Sequence, residues 1–380
     1  MIIACVLLAL AALPAFLTVR NIGLYLQLPD RDAMGDAASK ENRASVSVLI
    51  PARDEENGIA AALDSVLANE AVELEVLVMD DHSTDRTPDI VQEFRERDPR
   101  VRLIDSPELP EGWNGKQHAC YRLAEHAKHD LLLFLDADVR LSQDAIGRLV
   151  SRIESTPDVA LLSGFPNQET GTIGEKLLIP MMHFVLLGYL PLDQMRDSCK
   201  PEFGAGCGQL FLARRQPYFD AGGHAQIRSS RHDGLKLPRA MRAAGHMSDL
   251  VDASEIATVR MYQNWAEVIR GLLKNANEGI ARAPLIFIFT LLLLGGSVLP
   301  VFMLAHAVFW GWSIASIVVL AAATALSWLP RVLIAIRLQQ SLAGAALHPV
   351  AVAIFVALQW TAFAQDCIGF KPVAWRGRVT

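Results

Sequence analysis

Three observations predict an α/β domain on a mostly parallel sheet, flanked by membrane helices, for this 380-residue chain. Short apolar runs of strand length alternate with helix-periodic segments from Ala44 to about Val139, the pattern of βαβ units. Two runs end in clustered carboxylates, MDDHSTD (Met79 to Asp85) and LDADV (Leu135 to Val139). Open α/β sheets bind ligands outside the carboxyl ends of their strands, so these acids are expected to converge on one site. A hydrophobic content of 52% and a mean hydropathy of +0.26 are too high for an ordinary soluble enzyme, which places part of the chain in lipid.

The apolar excess is local. It lies in Ile2 to Val19, Leu285 to Met303, Val308 to Leu329 and Val350 to Ala364, against the ~20 residues that span a bilayer. The first stretch has the length of a signal peptide, but no basic residue precedes Ile2 and Arg20 follows the run, so an uncleaved anchor over residues 1–20 is preferred. Arg20, Arg331 and Arg337 beside apolar runs put the following segments on the cytoplasmic side. Lys371, Arg376 and Arg378 strain a three-crossing C-terminus, so one apolar segment is expected to lie in the interface or re-enter.

Composition excludes other classes. Five cysteines, Cys5, Cys120, Cys199, Cys207 and Cys367, are scattered without a C-x-x-C pair, which argues against a disulfide framework or structural zinc. The net charge of −6 argues against nucleic acid as a partner. Arg228, Arg231, Lys236, Arg239 and Arg242 form a basic stretch with two readings, a solvated face or an attraction for diphosphate or anionic lipid.

Strands are expected at Ser45 to Ile50, Leu74 to Met79, Val101 to Ile104, Asp130 to Leu135 and Val159 to Gly164. Helices are expected over Gly58 to Leu67, Pro88 to Arg97, Lys116 to Lys128 and Gln143 to Ile153. Beyond Gly164 the pattern is Gly-rich and irregular. Leu177 to Leu192 is apolar but interrupted by Pro180 and Pro191, and reads as an interfacial or core helix beneath a lipid acceptor. The resulting partition is an anchor (1–20), a linker (21–43), the α/β domain (44–260), an amphipathic juxtamembrane helix (261–283), transmembrane helices (284–368) and a tail (369–380).

Asp136 and Asp138 have D-x-D spacing. In extended chain both carboxylates face one pocket, where two like charges need a cation between them. Mg²⁺ or Mn²⁺ bridging them to a diphosphate supplies it; a turn with Asp bonding its own backbone is the plainer alternative. Asp80 and Asp81 are read as ligand-binding acids at a strand end, with Ser83 capping the next helix.

The runs VSVLIPARDEE, LVMDDHSTDRT and LLLFLDADV, in this order and spacing, resemble the GT-A domain of family 2 glycosyltransferases from about Val46 to Gly245. The resemblance implies a Rossmann-like GT-A fold, a nucleotide-sugar donor, inversion at the anomeric carbon and a D-x-D metal, Mn²⁺ or Mg²⁺. It places Pro51, Arg53 and Glu55 near the nucleoside, Asp80 on uracil with Asp81 beside it, Asp138 as principal metal ligand, and Asp136 on both the metal and the ribose or sugar. The family's base is the Asp of an E-D pair; RHDGLKLPRAMRAAGH offers Asp233 with His232 in the Glu position. Inversion needs the acceptor hydroxyl stripped of its proton, which a carboxylate across the pocket can do, and the competing reading of Asp233 is a helix N-cap.

PEGWNGKQHA (Pro110 to Ala119) resembles the GW-x-GK segment of the hopanoid- and carotenoid-associated members, with Lys116 approaching donor phosphate, and VAWRGR (Val373 to Arg378) resembles their W-x-GR ending. RMYQNW lacks the Arg of the Q-x-x-R-W motif of processive synthases. PARDEENG stands where a dinucleotide oxidoreductase needs G-x-G-x-x-G. The expectation is a multi-pass protein of the inner membrane with a cytoplasmic catalytic domain, moving one sugar from a UDP-sugar to an isoprenoid-like lipid. The alternatives are a processive polysaccharide synthase and a non-catalytic membrane scaffold on the same fold.

Overall fold

A computed structural model describes residues 1–25, 28 and 43–369. Most of the 21–43 linker, the tail cations Lys371, Arg376 and Arg378, and VAWRGR lie outside the described residues. The chain divides into a sheet unit, Tyr25–Glu169 with Gln194–Met261, and a helical unit, Met1–Leu24, Thr170–Asp193 and the described residues from Tyr262.

The sheet unit carries eight strands: β1 Ser45–Ala52, β2 Glu73–Asp80, β3 Val101–Asp105, β4 Leu131–Leu135, β5 Val139–Leu141, β6 Val159–Gln168, β7 Leu210–Arg214 and β8 Met247–Val259. Their order is β3-β2-β1-β4-β7-β6-β8-β5. The first four run parallel, β7 is antiparallel to both β4 and β6, β8 is parallel to β6, and β5 is antiparallel to β8. The near-continuous apolar runs of β1 and β4 follow from burial on both faces. Alternation sends Val48 and Ile50 into the core beneath helices Ile59–Leu67 and Ala145–Glu154. Leu49 points the other way, with Leu77 and Phe134, against helices Gly115–His126 and Asp233–Ala243.

The expected strands and helices through Gly164 fold within a few residues of their predicted ends, but the short β5, and also β7 and β8, do not show in the pattern. β8 is disguised by buried acids: Asp249 inside it is paired with Arg152 at 3.2 Å and Arg196 at 2.9 Å, so its polar residues face ion pairs instead of water. The domain expected without a break over 44–260 is interrupted, because Thr170–Asp193 packs with the helical unit. There the apolar stretch forms two short helices, Ile173–Leu178 and Met181–Tyr189, broken at Pro180.

In the helical unit Ile2–Leu24, Leu285–Phe309, Ile314–Arg337 and His348–Cys367 are long and apolar enough to cross a membrane. The three expected flanking cations are inside these helices, Arg337 as the last residue of the third. Arg20 lies within the first, paired with Asp193 at 2.6 Å, and Arg331 lies within the third, fully buried. The third helix starts at Ile314, not Val308, because Gly311 takes φ +62° and Ser313 caps the new helix through the Ser316 N–H. A wide turn at Leu294–Val298 carries two glycines, and a Cβ on Gly296 would sit 2.8 Å from the Leu10 carbonyl oxygen, so only glycine lets these helices approach. The amphipathic helix spans Trp265–Ala276, burying Val268 and laying the Trp265 ring against Gly174.

Asn69 ties the sheet unit together. Its Nδ2 donates to the carbonyls of Ser65 (2.9 Å) and Ser142 (3.0 Å), and its Oδ1 accepts the Ile146 N–H (2.9 Å) that opens a helix. Asn69→Ala strands that buried donor and is expected to cost about 1–3 kcal/mol, read as a lower melting temperature in detergent. An unchanged melting temperature would show the amide to be dispensable.

Candidate active site

Parallel pairing aligns the carboxyl ends of β3, β2 and β1, with Ala52 opposite Asp80 and Asp80 opposite Asp105. The loops leaving this edge hold the predicted residues. Pro51 is buried in β1, beyond its last pair with β4, so its missing N–H leaves no gap in that ladder. Arg53 donates to the Asp81 and His82 carbonyls, and its guanidinium lies 3.8 Å from the Asp81 carboxylate. Asp54 and His82 end adjacent strands with φ of +52° and +56°, backbone that non-glycine residues adopt rarely and that collects at functional sites.

These two loops are laced together. The Asp54 carboxylate accepts from Thr84 N–H at 2.8 Å, the Glu55 N–H donates to Thr87 Oγ1 at 2.8 Å, and the Glu56 N–H donates to Asp85 at 3.0 Å. Ser83 is not the helix cap: its Oγ accepts the Asp54 N–H, while Asp85 accepts from Thr87 N–H at the helix start. Asp80 accepts the Ser83 N–H with Oδ2, and its Oδ1 is buried with no hydrogen-bond partner among the described residues.

The D-x-D pair sits in a turn closed by Val139 N–H to the Asp136 carbonyl at 3.1 Å, not in extended chain. Within it the two carboxylates have different partners, although the charge of Asp138 still reaches Asp136. Asp136 meets Lys116, and Asp138 faces Arg140, which also feels Glu55 and donates to the Gly58 carbonyl at 2.8 Å. Lys116 bridges two segments far apart in sequence, with Nζ 2.7 Å from Asp136 and 2.9 Å from Asp233. It is held at the second position of its helix, where Asn114 caps by accepting the Lys116 N–H.

Asp233 opens its own helix but is not its cap. His232 occupies that position, and the Asp233 carboxylate accepts the next backbone N–H at 2.8 Å. Its approach depends on glycine: a Cβ on Gly208 would fall 1.9 Å from Asp233 Oδ1, and one on Gly234 would fall 2.7 Å from the Gly206 carbonyl oxygen. Gln209, next in this segment, accepts the Asp136 N–H through its carbonyl at 3.1 Å. Sequence reasoning passed over this Gly-x-Gly-x-Gly run, whose alternating glycines were the available signal.

Burial raises the Asp136 carboxyl to about 6; Lys116 opposes the rise, and the negative charges of Asp138 and Asp233 add to it. Burial also works against the charged form of Asp233, but Lys116, His224 and His232 outweigh it and hold that carboxyl below the ordinary range. Burial likewise disfavours the Lys116 ammonium, and Asp136 and Asp233 reverse this, keeping it charged. Of the basic stretch, Arg242 is committed to structure: it is buried and donates to the carbonyls of Met195, Ser198 and Ser248.

Two carboxylates on one lysine leave net negative charge, which the raised Asp136 registers together with the nearby charge of Asp138. Among the described residues no three His, Cys, Asp or Glu side chains converge as a metal-holding group. Carboxylate oxygens such as those of Asp136 and Asp138 are donors of the hard kind that a divalent ion takes, and Mg²⁺ commonly keeps only one or two protein carboxylates beside substrate phosphate.

Residues 47–219 match the model of glycosyl transferase family 2. A mannosyltransferase from Pyrobaculum calidifontis, PcManGT, solved with GDP-Man and Mn²⁺, resembles this chain over 96% of its residues and 99% of that chain's, with a TM-score of 0.55 and 18% identity. That likeness speaks for the fold alone, which is a GT-A fold beside long apolar helices. The 4,4'-diaponeurosporenoate glycosyltransferases of Staphylococcus aureus strains USA300 and MRSA252 are 26% identical over 241 residues, 63% of this chain. The match spans 62% of those relatives' length. Over residues 47–219 the chain is thus similar to the glycosyl transferase family 2 domain.

Because the folded value of Asp136 lies above its ordinary 3.8, the folded protein binds that proton more tightly than the unfolded chain between 3.8 and about 6. This group's contribution to stability therefore falls as pH rises through that window. Asp136→Asn is expected to raise the melting temperature relative to wild type at about pH 7.5 and by less at about pH 4.5. An equal change at both values would refute the assignment.

Proposed function

We propose that this chain is an inverting, membrane-bound transferase that moves a single sugar from a UDP-sugar to an oxygen of an isoprenoid-like lipid. The observation that carries this reading is the Lys116 bridge, which joins the strand-end acid Asp136 to the ionised, buried Asp233. The similar proteins of Staphylococcus aureus are named for transfer to 4,4'-diaponeurosporenoate, which supports the acceptor class.

In this reading Pro51, Arg53, Glu55 and Asp81 shape the nucleoside pocket, and the unpartnered Asp80 Oδ1 accepts a uracil N–H. Asp138, with Asp136, would hold Mn²⁺ or Mg²⁺, and such an ion would supply positive charge to the leaving diphosphate. Lys116 is an ammonium that can turn from Asp136 to a donor phosphate. Asp233 takes the proton of an acceptor hydroxyl; a carboxylate acceptor arrives already ionised, and there Asp233 serves to hold Lys116. In this reading the four helices that are long and apolar enough to cross a membrane anchor the chain as a multi-pass protein of the inner membrane, with the sheet unit on the cytoplasmic side where UDP-sugars are made.

Purified full-length protein with UDP-sugars, Mn²⁺ and membrane lipid should release UDP and yield a product carrying one sugar of inverted anomeric configuration by mass spectrometry and NMR. Asp233→Asn should slow transfer to a hydroxyl acceptor by about 10²–10⁴-fold, and Asp138→Ala or chelation of the metal should slow it by roughly 10²-fold or more. Full UDP release in both variants would end the assignment, and a polymeric product would transfer it to a processive synthase.

A further inference from the structure

A cluster in the helical unit carries positive charge with nothing to answer it. Arg331, in Ile314–Arg337, is fully buried, and its Nη1 donates to the Gln340 side-chain oxygen at 3.1 Å. Its Nε and Nη2 have no hydrogen-bond partner among the described residues. Gln340 Nε2 meets His183 Nδ1 at 3.2 Å. His348, fully buried at the start of His348–Cys367, has neither ring nitrogen bonded among the described residues and packs against Phe184 with centroids 4.6 Å apart. Arg331 acts electrostatically on both His183 and His348. Among the described residues no carboxylate forms an ion pair with Arg331, and burial alone acts on its guanidinium.

An arginine buried among apolar helices is costly unless paired, and such residues mark ligand sites. Its unbonded donors are also informative. Nε and Nη2 form one edge of the guanidinium, the two-donor fork that matches both oxygens of a carboxylate or phosphate. His348 adds a nitrogen donor beside it, and the half-buried neutral Gln340 closes the outer side. We propose that Arg331, His348 and His183 form a binding site for the oxyanion head of an amphiphile, a long apolar chain ending in carboxylate or phosphate, with Arg331 Nε and Nη2 taking its two oxygens. The site's role in acceptor capture rests on the function proposed above, whereas binding is measurable without donor or turnover.

The test uses full-length protein in nanodiscs of phosphatidylcholine, which brings no anionic lipid. Energy transfer from tryptophan to the polyene fatty acid parinaric acid reports binding, with its methyl ester, a long-chain alkyl phosphate and inorganic phosphate as the other arms. The acid should bind saturably, and the ester at least ~10-fold more weakly. Arg331→Gln should abolish that preference, His348→Gln should reduce it, and Arg337→Gln, a charge change further along the same helix, should leave it intact. Displacement by the alkyl phosphate alone assigns the head as phosphate, and binding of the acid alone assigns it as carboxylate; both support the site. Equal binding of acid and ester by wild type, or a preference that persists in folded Arg331→Gln, overturns it, and if that variant does not fold the wild-type comparison and His348→Gln decide. Inorganic phosphate binding as tightly as the amphiphile makes this a free-anion site and overturns the lipid assignment. Loss of UDP release with amphiphile binding intact would count against the proposed reaction only.

Discussion

One buried ammonium between two carboxylates organises the sheet unit. Lys116 comes from a helix that follows a loop, Asp136 from the end of β4, and Asp233 from the first turn of a helix about a hundred residues later. Removing a carboxylate from water is costly, and the cost is offset only where an opposite charge is fixed close by. The result is asymmetric: the same lysine holds Asp233 ionised while Asp136, crowded by Asp138, is held less firmly. A cluster balanced in this way retains a deficit of positive charge on one side, where a metal–diphosphate would fit.

Backbone shape makes this contact available. Four parallel strands deliver their carboxyl ends to one edge, and the two central loops lock to each other through Asp54, Glu55, Ser83 and Asp85, with two non-glycine residues at positive φ. On the other side glycines at 206, 208 and 234 remove the side chains that would keep Asp233 from the segment leading into β7. Rigid loops on one side and close backbone approach on the other fix carboxylate positions that flexible loops would leave scattered.

The helical unit obeys a different economy. Its packing relies on small residues, as where Gly295 and Gly296 meet Leu10, and some of the polar groups inside it are tied to carbonyls, as Asn21 is to Leu187 and Leu190. Against that background the unanswered edge of Arg331 stands apart. It belongs to a fully buried guanidinium whose Nε and Nη2 have no hydrogen-bond partner among the described residues, and the proposed oxyanion head answers that edge.

Local periodicity determined much of this protein in advance. The βαβ rhythm, the four apolar helices and the acids at the ends of β2 and β4 were all legible, because strand alternation and carboxyl-edge chemistry are written in contiguous residues. β8 was not, since its acids are matched by Arg152 and Arg196 from elsewhere in the chain and so read as exposed polar sequence. The D-x-D turn, the glycine segment beside Asp233 and the role of Lys116 as a bridge were likewise decided only by tertiary structure. Arg331 read as a flanking charge and proved to be interior. In each case the deciding energy is an ion pair or a close approach between residues distant in sequence, and no local pattern encodes which partner will arrive.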